Sequence, residues 1–298
     1  MARPRRATAR RYLMCPPVHF AHSAAARTPG MGTDPAGAAG AADAAGAADA
    51  AGAAGAAGAA DTSAALAQWE RLREVYRSLG HTVEVLVPEP GLPDMVCTAD
   101  GALVVDGRVL GARSARPRRE REEEAQLRWF AGHGFARLRL PEHGNAGEGD
   151  FAVTASYLLA GRGFRTGPLA HGEAQEFLGR PVIGLELTNP RRPRLGLALA
   201  VLDDAADEVA YHPPAFSPGS REVLRRLFPD ALLVGEEDAA AFALDAVGDG
   251  LHVVLPRTAA AGLDAALRER GFAPVGVEIG ELRKTGGGVR RCSLELRG

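Results

Sequence analysis

The feature that most constrains this chain is a recurrence: a short apolar strand, a tight turn, a second strand, an amphipathic helix and a third strand follow one another repeatedly. Residues 102–111 show the hairpin most openly, because Asp106 and Gly107 stand between two apolar runs and supply the positive φ angles that a two-residue hairpin turn demands. A charged helix over 117–132 and alternating residues over 136–140 complete that unit. Strands over 151–154 and 157–160, a helix near 173–178 and a strand over 182–187 make a second. Strands over 197–202 and 208–211, a helix over 218–228 capped by Ser217 and a strand over 231–234 make a third. Strands over 242–247 and 252–255, joined across Gly248 to Gly250, then a helix over 258–270 and a strand over 275–279, make a fourth.

The fifth unit is split between the two ends of the chain. A strand over 291–296 has no helix after it, and the beginning of the sequence supplies the missing parts. These are a strand over 11–14, a helix over 63–79 with Leu66, Trp69, Leu72 and Tyr76 at helical spacing, and a strand over 83–87. The expected fold is therefore α+β, a five-fold ββαβ propeller closed by pairing of the N- and C-terminal strands. No unit of such a ring buries its sheet face alone, so residues 11–298 read as one domain, preceded by a basic tail over 1–10. A polar site belongs at the centre, where the inner strands and their loops converge.

One stretch stands outside the pattern. Over about 30–62 the chain repeats alanine, glycine and aspartate with no large apolar residue after Met31. Frequent glycine costs a helix about 1 kcal/mol each time against alanine, so the stretch reads as a low-complexity insert that interrupts a domain.

Charge and cysteine usage exclude several functions. Lys+Arg 35 against Asp+Glu 37 leaves a net charge of −2, and no basic field gathers nucleic acid or an anionic membrane. The apolar run after the first arginines ends at Pro16, too soon for an export signal. Cys15, Cys97 and Cys292 are odd in number and far apart, which fits a reducing cytoplasm better than a disulfide framework. No His, Cys or carboxylate cluster has metal-ligand spacing.

In order and spacing, several stretches resemble the guanidino-group modifying (pentein) superfamily, above all dimethylarginine dimethylaminohydrolases and amidinotransferases. They are residues 11–20, 92–96, 149–150, 158–166, 209–216 and 249–256, and the closing run of Gly286, Gly287 and Gly288 before Cys292. The resemblance implies a small-molecule substrate with a guanidino or amidino group and no organic cofactor. It implies attack of a cysteine thiolate on the guanidinium carbon, loss of an amine and hydrolysis of a thiouronium intermediate. Such chemistry needs an ionised thiol, a proton-transfer group and carboxylates for the cation. By position Cys292 matches the nucleophile, on a strand and sharing a face with Arg290; a lone cysteine on a strand is otherwise a small buried apolar residue. Asp94 matches an aspartate near the guanidinium, Arg165 an arginine for the substrate carboxylate, and Arg113 lies in a loop that also carries contacts. Read without the resemblance, Asp94 is a turn residue after Pro93, and the two arginines are surface ion pairs.

The sequence departs from that pattern at the acid–base positions. Arg194 and Gly196 stand where the family has its His-x-Asp step, and Ala146 or Gly147 stands at the family glutamate. Arginine stays protonated and cannot act as a base. Glu148 and His212 are the groups in reach to compensate; His22 falls in an altered loop. Two readings follow: an amidinohydrolase of the dimethylargininase type, or a catalytically impaired relative that binds an arginine-like or other small ligand.

Overall fold

A computed structural model of the chain describes residues 5–20, 61–115, 119–258, 261–284 and 288–298. His22, most of the alanine-rich stretch, and Gly286 and Gly287 lie outside the described residues.

Fifteen short strands form five three-stranded sheets among the described residues. β1 (Arg11–Met14) lies between β15 (Leu294–Glu295) and β2 (Thr82–Val85), antiparallel to the first, with Tyr12 opposite Glu295, and parallel to the second. The other four sheets repeat this plan as antiparallel hairpins, each joined by a helix to a parallel third strand. In chain order they are β3 (Ala102–Val105), β4 (Arg108–Gly111) and β5 (Arg137–Arg139); then β6 (Phe151–Val153), β7 (Leu158–Arg162) and β8 (Val182–Glu186). Next come β9 (Leu199–Asp203), β10 (Glu208–Tyr211) and β11 (Leu232–Leu233), then β12 (Val247–Gly248), β13 (His252–Pro256) and β14 (Ala273–Val277).

Local chemistry explains where these elements begin and turn. Asp106 and Gly107 take φ of 50° and 70°, as the hairpin between β3 and β4 requires. In α1 (Thr62–Ser78) the Asp61 carboxylate accepts from the backbone of Ser63 and Ala64, and the helix buries Ala65, Trp69, Leu72, Val75 and Tyr76. α2 (Glu120–Gly132) and α3 (Pro168–Leu178) cover the next two sheets; Gly179 ends α3 in the left-handed conformation. α4 (Pro218–Leu227) starts on Ser217, whose hydroxyl accepts from Ser220 N–H. A short α5 (Glu236–Ala240), α6 (Ala261–Glu269) and α7 (Gly280–Arg283) complete the chain.

Two expected strands are corrected. The strand over 242–247 shrinks to β12, because Phe242 turns the chain at φ 64° and carries Asp245 inward, where its carboxylate takes the Arg291 N–H at 3.3 Å. The closing strand over 291–296 shrinks to β15, since residues before it coil into a helical turn in which Cys292 N–H bonds Gly288 O at 3.1 Å. The basic start is tied to the sheets: Arg5 lies over the Phe272 ring and pairs with Glu208 at 2.7 Å, and Arg10 pairs with Asp204 and Glu295.

Apolar side chains gather in five clusters, each shared by two sheets. Tyr12 and Met14 of β1 pack with Trp69 and Tyr76 of α1, and with Val254 and Val277 of the β12 to β14 sheet. Leu13 and Leu294 pack with Val104 and Val109. Leu103 and Leu110 meet Phe151 and Leu158, Leu159 and Leu185 meet Leu199 and Val209, and Ala200 and Leu202 meet Val253 and Leu255.

Candidate active site

Short 3-10 turns lead into three of the hairpins: Thr98–Asp100 before β3, Gly147–Gly149 before β6 and Leu195–Leu197 before β9. With Asp245 and the helical turn before β15 they line one narrow cavity. Gly149 has to be glycine here, because a Cβ on it would lie 2.2 Å from Asp100 Oδ1.

Asp100 is the hub. Its Oδ2 accepts Arg291 Nε at 2.7 Å and lies 2.6 Å from Arg291 Nη2; Arg119 Nη1 approaches the same oxygen at 3.5 Å. Arg165 Nη1 lies 3.5 Å from Oδ1. Burial pushes the Asp100 carboxyl up, but the guanidinium groups of Arg291, Arg165 and Arg119 outweigh it and hold the group well below the usual carboxylate range. Asp150 is tied in the same way, accepting Arg165 Nη2 at 2.9 Å, Thr166 Oγ1 at 2.8 Å and Leu195 N–H at 3.2 Å. Arg290 gives its guanidinium to the carbonyls of Leu199, Glu148 and Phe151 at 3.1, 3.2 and 2.8 Å. Burial lowers its pKa, and burial raises that of Asp245.

Cys292 is fully buried and lies in the apolar cluster of Tyr12, Phe20, Trp69 and Tyr76. Its expected place on a strand, facing the same way as Arg290, is corrected: it lies in the helical turn, where residues two apart do not share a face. Burial, then the neighbouring Cys97, pushes its thiol well above the usual range, so the sulfur is protonated at neutral pH.

The other expected residues divide into two groups. Asp94 is buried in the 3-10 turn Pro93–Val96, where its N–H donates to Glu122 Oε1 at 2.9 Å and its charge acts on Arg119 and Cys97. Arg165 is central, bound by Asp100 and Asp150. Arg194 lines the cavity beside Asp100, Asp245 and Gly196, and no imidazole stands among the described lining residues. Of the expected site residues only Arg194 lines the cavity; buried Cys292 and Asp94 and half-buried Arg165 lie outside its lining, and the remaining three are held elsewhere. Exposed Arg113 bonds the Glu142 carbonyl at 2.9 Å, and the Glu148 carboxylate is held by Arg297 at 2.6 Å and Glu295 N–H at 3.0 Å. His212 faces Val234 O at 2.8 Å and Glu236 at 3.0 Å. Among the described residues no group of His, Cys, Asp or Glu forms a metal site, and no helix is long and apolar enough to cross a membrane.

Sequence reasoning missed Asp100, Arg119, Asp245 and Arg291. The signal for the first was present, since Asp100 and Asp150 each stand just ahead of a hairpin strand. Arg291 had none, because neighbouring arginines 290 and 291 are separated only by the direction of the turn that carries them.

No family model matches the chain. A dimethylarginine dimethylaminohydrolase of Mycobacterium tuberculosis is 48% identical over 236 residues, which cover 79% of this chain and 77% of that protein. The bifunctional arginine dihydrolase/ornithine cyclodeaminase ArgZ of Synechocystis sp. is 30% identical over 237 residues, covering 78% of this chain but only 33% of ArgZ. The solved N-terminal domain of ArgZ, a cysteine-to-serine mutant bound to substrate, matches with a TM-score of 0.82 at 26% identity, covering 97% of this chain and 98% of that one. These relatives place the chain among the guanidino-group modifying proteins of the pentein type. The chain belongs to the dimethylarginine dimethylaminohydrolase family, whose members act on the guanidino group of arginine derivatives.

Proposed function

We propose that the five sheets close into a five-fold ββαβ propeller, with residues 11–298 as one domain. The pairing of β1 with β15 supports the ring, as does the way each apolar cluster joins one sheet to the next until the last returns to the first. Its centre takes the guanidino group of an arginine derivative, and the protein is an amidinohydrolase of the dimethylargininase type. One observation carries this within the family: Asp100, a buried carboxylate at the centre, binds a guanidinium through two nitrogens at 2.6 and 2.7 Å.

In this reading Cys292 is the nucleophile. A cationic ligand beside the thiol lowers its pKa, and the thiolate attacks the guanidinium carbon, forming the S–C bond. The C–N bond then breaks and the amine leaves with a proton. Water adds to the cationic thiouronium carbon, the C–S bond breaks, and a ureido product, the free thiol and one proton, which the departing amine or solvent takes, remain. Asp94 and Asp100 supply negative charge for the cation, and Arg165 takes the substrate carboxylate in exchange for Asp150. The free thiols of Cys15, Cys97 and Cys292 suit a reducing cytoplasm.

Arg194 favours a second reading. A permanent cation lines the cavity where the resemblance puts an imidazole, and it moves no proton. The chain then holds an arginine-like ligand without turning it over.

Labelling with 2-chloroacetamidine followed by mass spectrometry tests the hydrolase reading. An adduct on Cys292 that forms faster than on Cys15 or Cys97, is blocked by arginine or dimethylarginine and is absent in Cys292→Ala is the expected result. Equal or no labelling of the three cysteines in folded protein overturns Cys292 as the nucleophile.

A further inference from the structure

The strongest ion pair at the centre joins the chain to itself. Asp100 is buried, and the guanidinium it holds through Nε and Nη2 belongs to Arg291, nine-tenths buried beside it. The backbone fixes Arg291 on both sides: its N–H donates to Asp245 at 3.3 Å and its carbonyl accepts Ala99 N–H at 3.2 Å. Both nitrogens point at the one oxygen Oδ2, and a guanidinium arriving from solution would seek the same buried carboxylate. The other acid lining the cavity, Asp245, is a poorer seat, since burial weakens its charge.

We propose that Arg291 is a tethered internal competitor, seated on the Asp100 carboxylate that the proposed function gives to the substrate cation, and that an arginine derivative must displace it. This rests on the reading of the centre as a guanidino site. Arg119 and Arg165, at 3.5 Å, hold the carboxylate ionised and in place whether Arg291 or a ligand is on it. The affinity for an outside guanidinium is then reduced by the fraction of molecules in which Arg291 is in its seat.

The test uses ethylguanidinium, the fragment that Arg291→Ala removes, with ethylammonium as the cation control, titrated by calorimetry into the full chain and its variants. Arg291→Ala is expected to bind ethylguanidinium at least about tenfold more tightly than the unmodified chain. Ethylammonium should gain nothing, and Asp100→Asn combined with Arg291→Ala should abolish the gain. Arg291→Gln, which keeps most of the aliphatic stem and removes the guanidinium and its charge, covers the case in which the alanine variant does not fold, and should show the same ranking. Equal affinity in unmodified and variant protein, or a gain that survives Asp100→Asn, overturns the proposal. Failure of the hydrolase reading appears separately, as absent labelling of Cys292 in a protein whose ethylguanidinium binding still rises on removal of Arg291.

Discussion

Asp100 and Arg291 are 191 residues apart in sequence, and their side chains meet at 2.6 Å in the buried centre. That pair ties the loop before β3 to the last turn of the chain. Its two halves are not equivalent. Without Arg291, Asp100 still faces Arg119 and Arg165; without Asp100, three guanidinium groups lose their shared counter-charge. Asp100→Ala should therefore cost about 3–5 kcal/mol of stability, and Arg291→Ala clearly less. Urea unfolding of the two variants gives the order; a larger loss for Arg291→Ala contradicts it.

The Cys292 thiol is raised well above its usual range by burial. Its reaction with a neutral alkylating amide should climb with pH and reach no plateau below about pH 9. The cationic amidine should react faster than the amide of the same size, because its charge stabilises the thiolate it meets. A plateau near neutral pH with the neutral reagent would mean an already ionised sulfur.

Glu123 of α2 is buried, and burial pushes its carboxyl up to about 7 from 4.5. The folded state thus resists ionisation that the unfolded chain accepts. The cost is absent below about pH 4.5 and grows until pH passes 7. Glu123→Gln, which keeps an oxygen for the Ser114 N–H, should stabilise the protein at pH 8 by on the order of 1 kcal/mol and leave it unchanged at pH 4. Denaturant midpoints at the two pH values decide this.

Asp249 works in the opposite direction. It lies 3.3 Å from buried His81 and 2.8 Å from His252. Burial raises its carboxyl, but hydrogen bonds from both histidines outweigh that and hold it at about 2. The stabilisation is present above the unfolded value of 3.8 and is lost as pH falls toward 2. Asp249→Ala should cost about 2–4 kcal/mol at pH 7 and little near pH 2, measured by thermal unfolding across that range.

How much of this was legible in the sequence follows from the range of the forces involved. The Asp106 and Gly107 turn, the Asp61 and Ser217 caps and the buried face of α1 are set by neighbours in the chain, and the pattern of residues finds them. The fourth unit misleads because residues 242–247 are apolar enough for a strand. The reason they are not one is distant: Asp245 is held at the centre by Arg291. Cys292 was picked out by position and resemblance, yet its orientation depends on a turn of six residues that no local pattern announces. Arg194 was found as a departure from a motif, whereas Asp100, which meets charges from four separate segments, had only its place ahead of a hairpin to mark it.

The central claim is that this cavity recognises a guanidinium. Calorimetric titration of the unmodified chain with dimethylarginine, arginine and citrulline tests it most directly, because citrulline keeps the amino-acid body but replaces the cation with a neutral ureido group. Saturable binding of the two guanidino ligands with none of citrulline is the predicted result. Binding of citrulline as tight as that of arginine, or binding of none of the three, would contradict it.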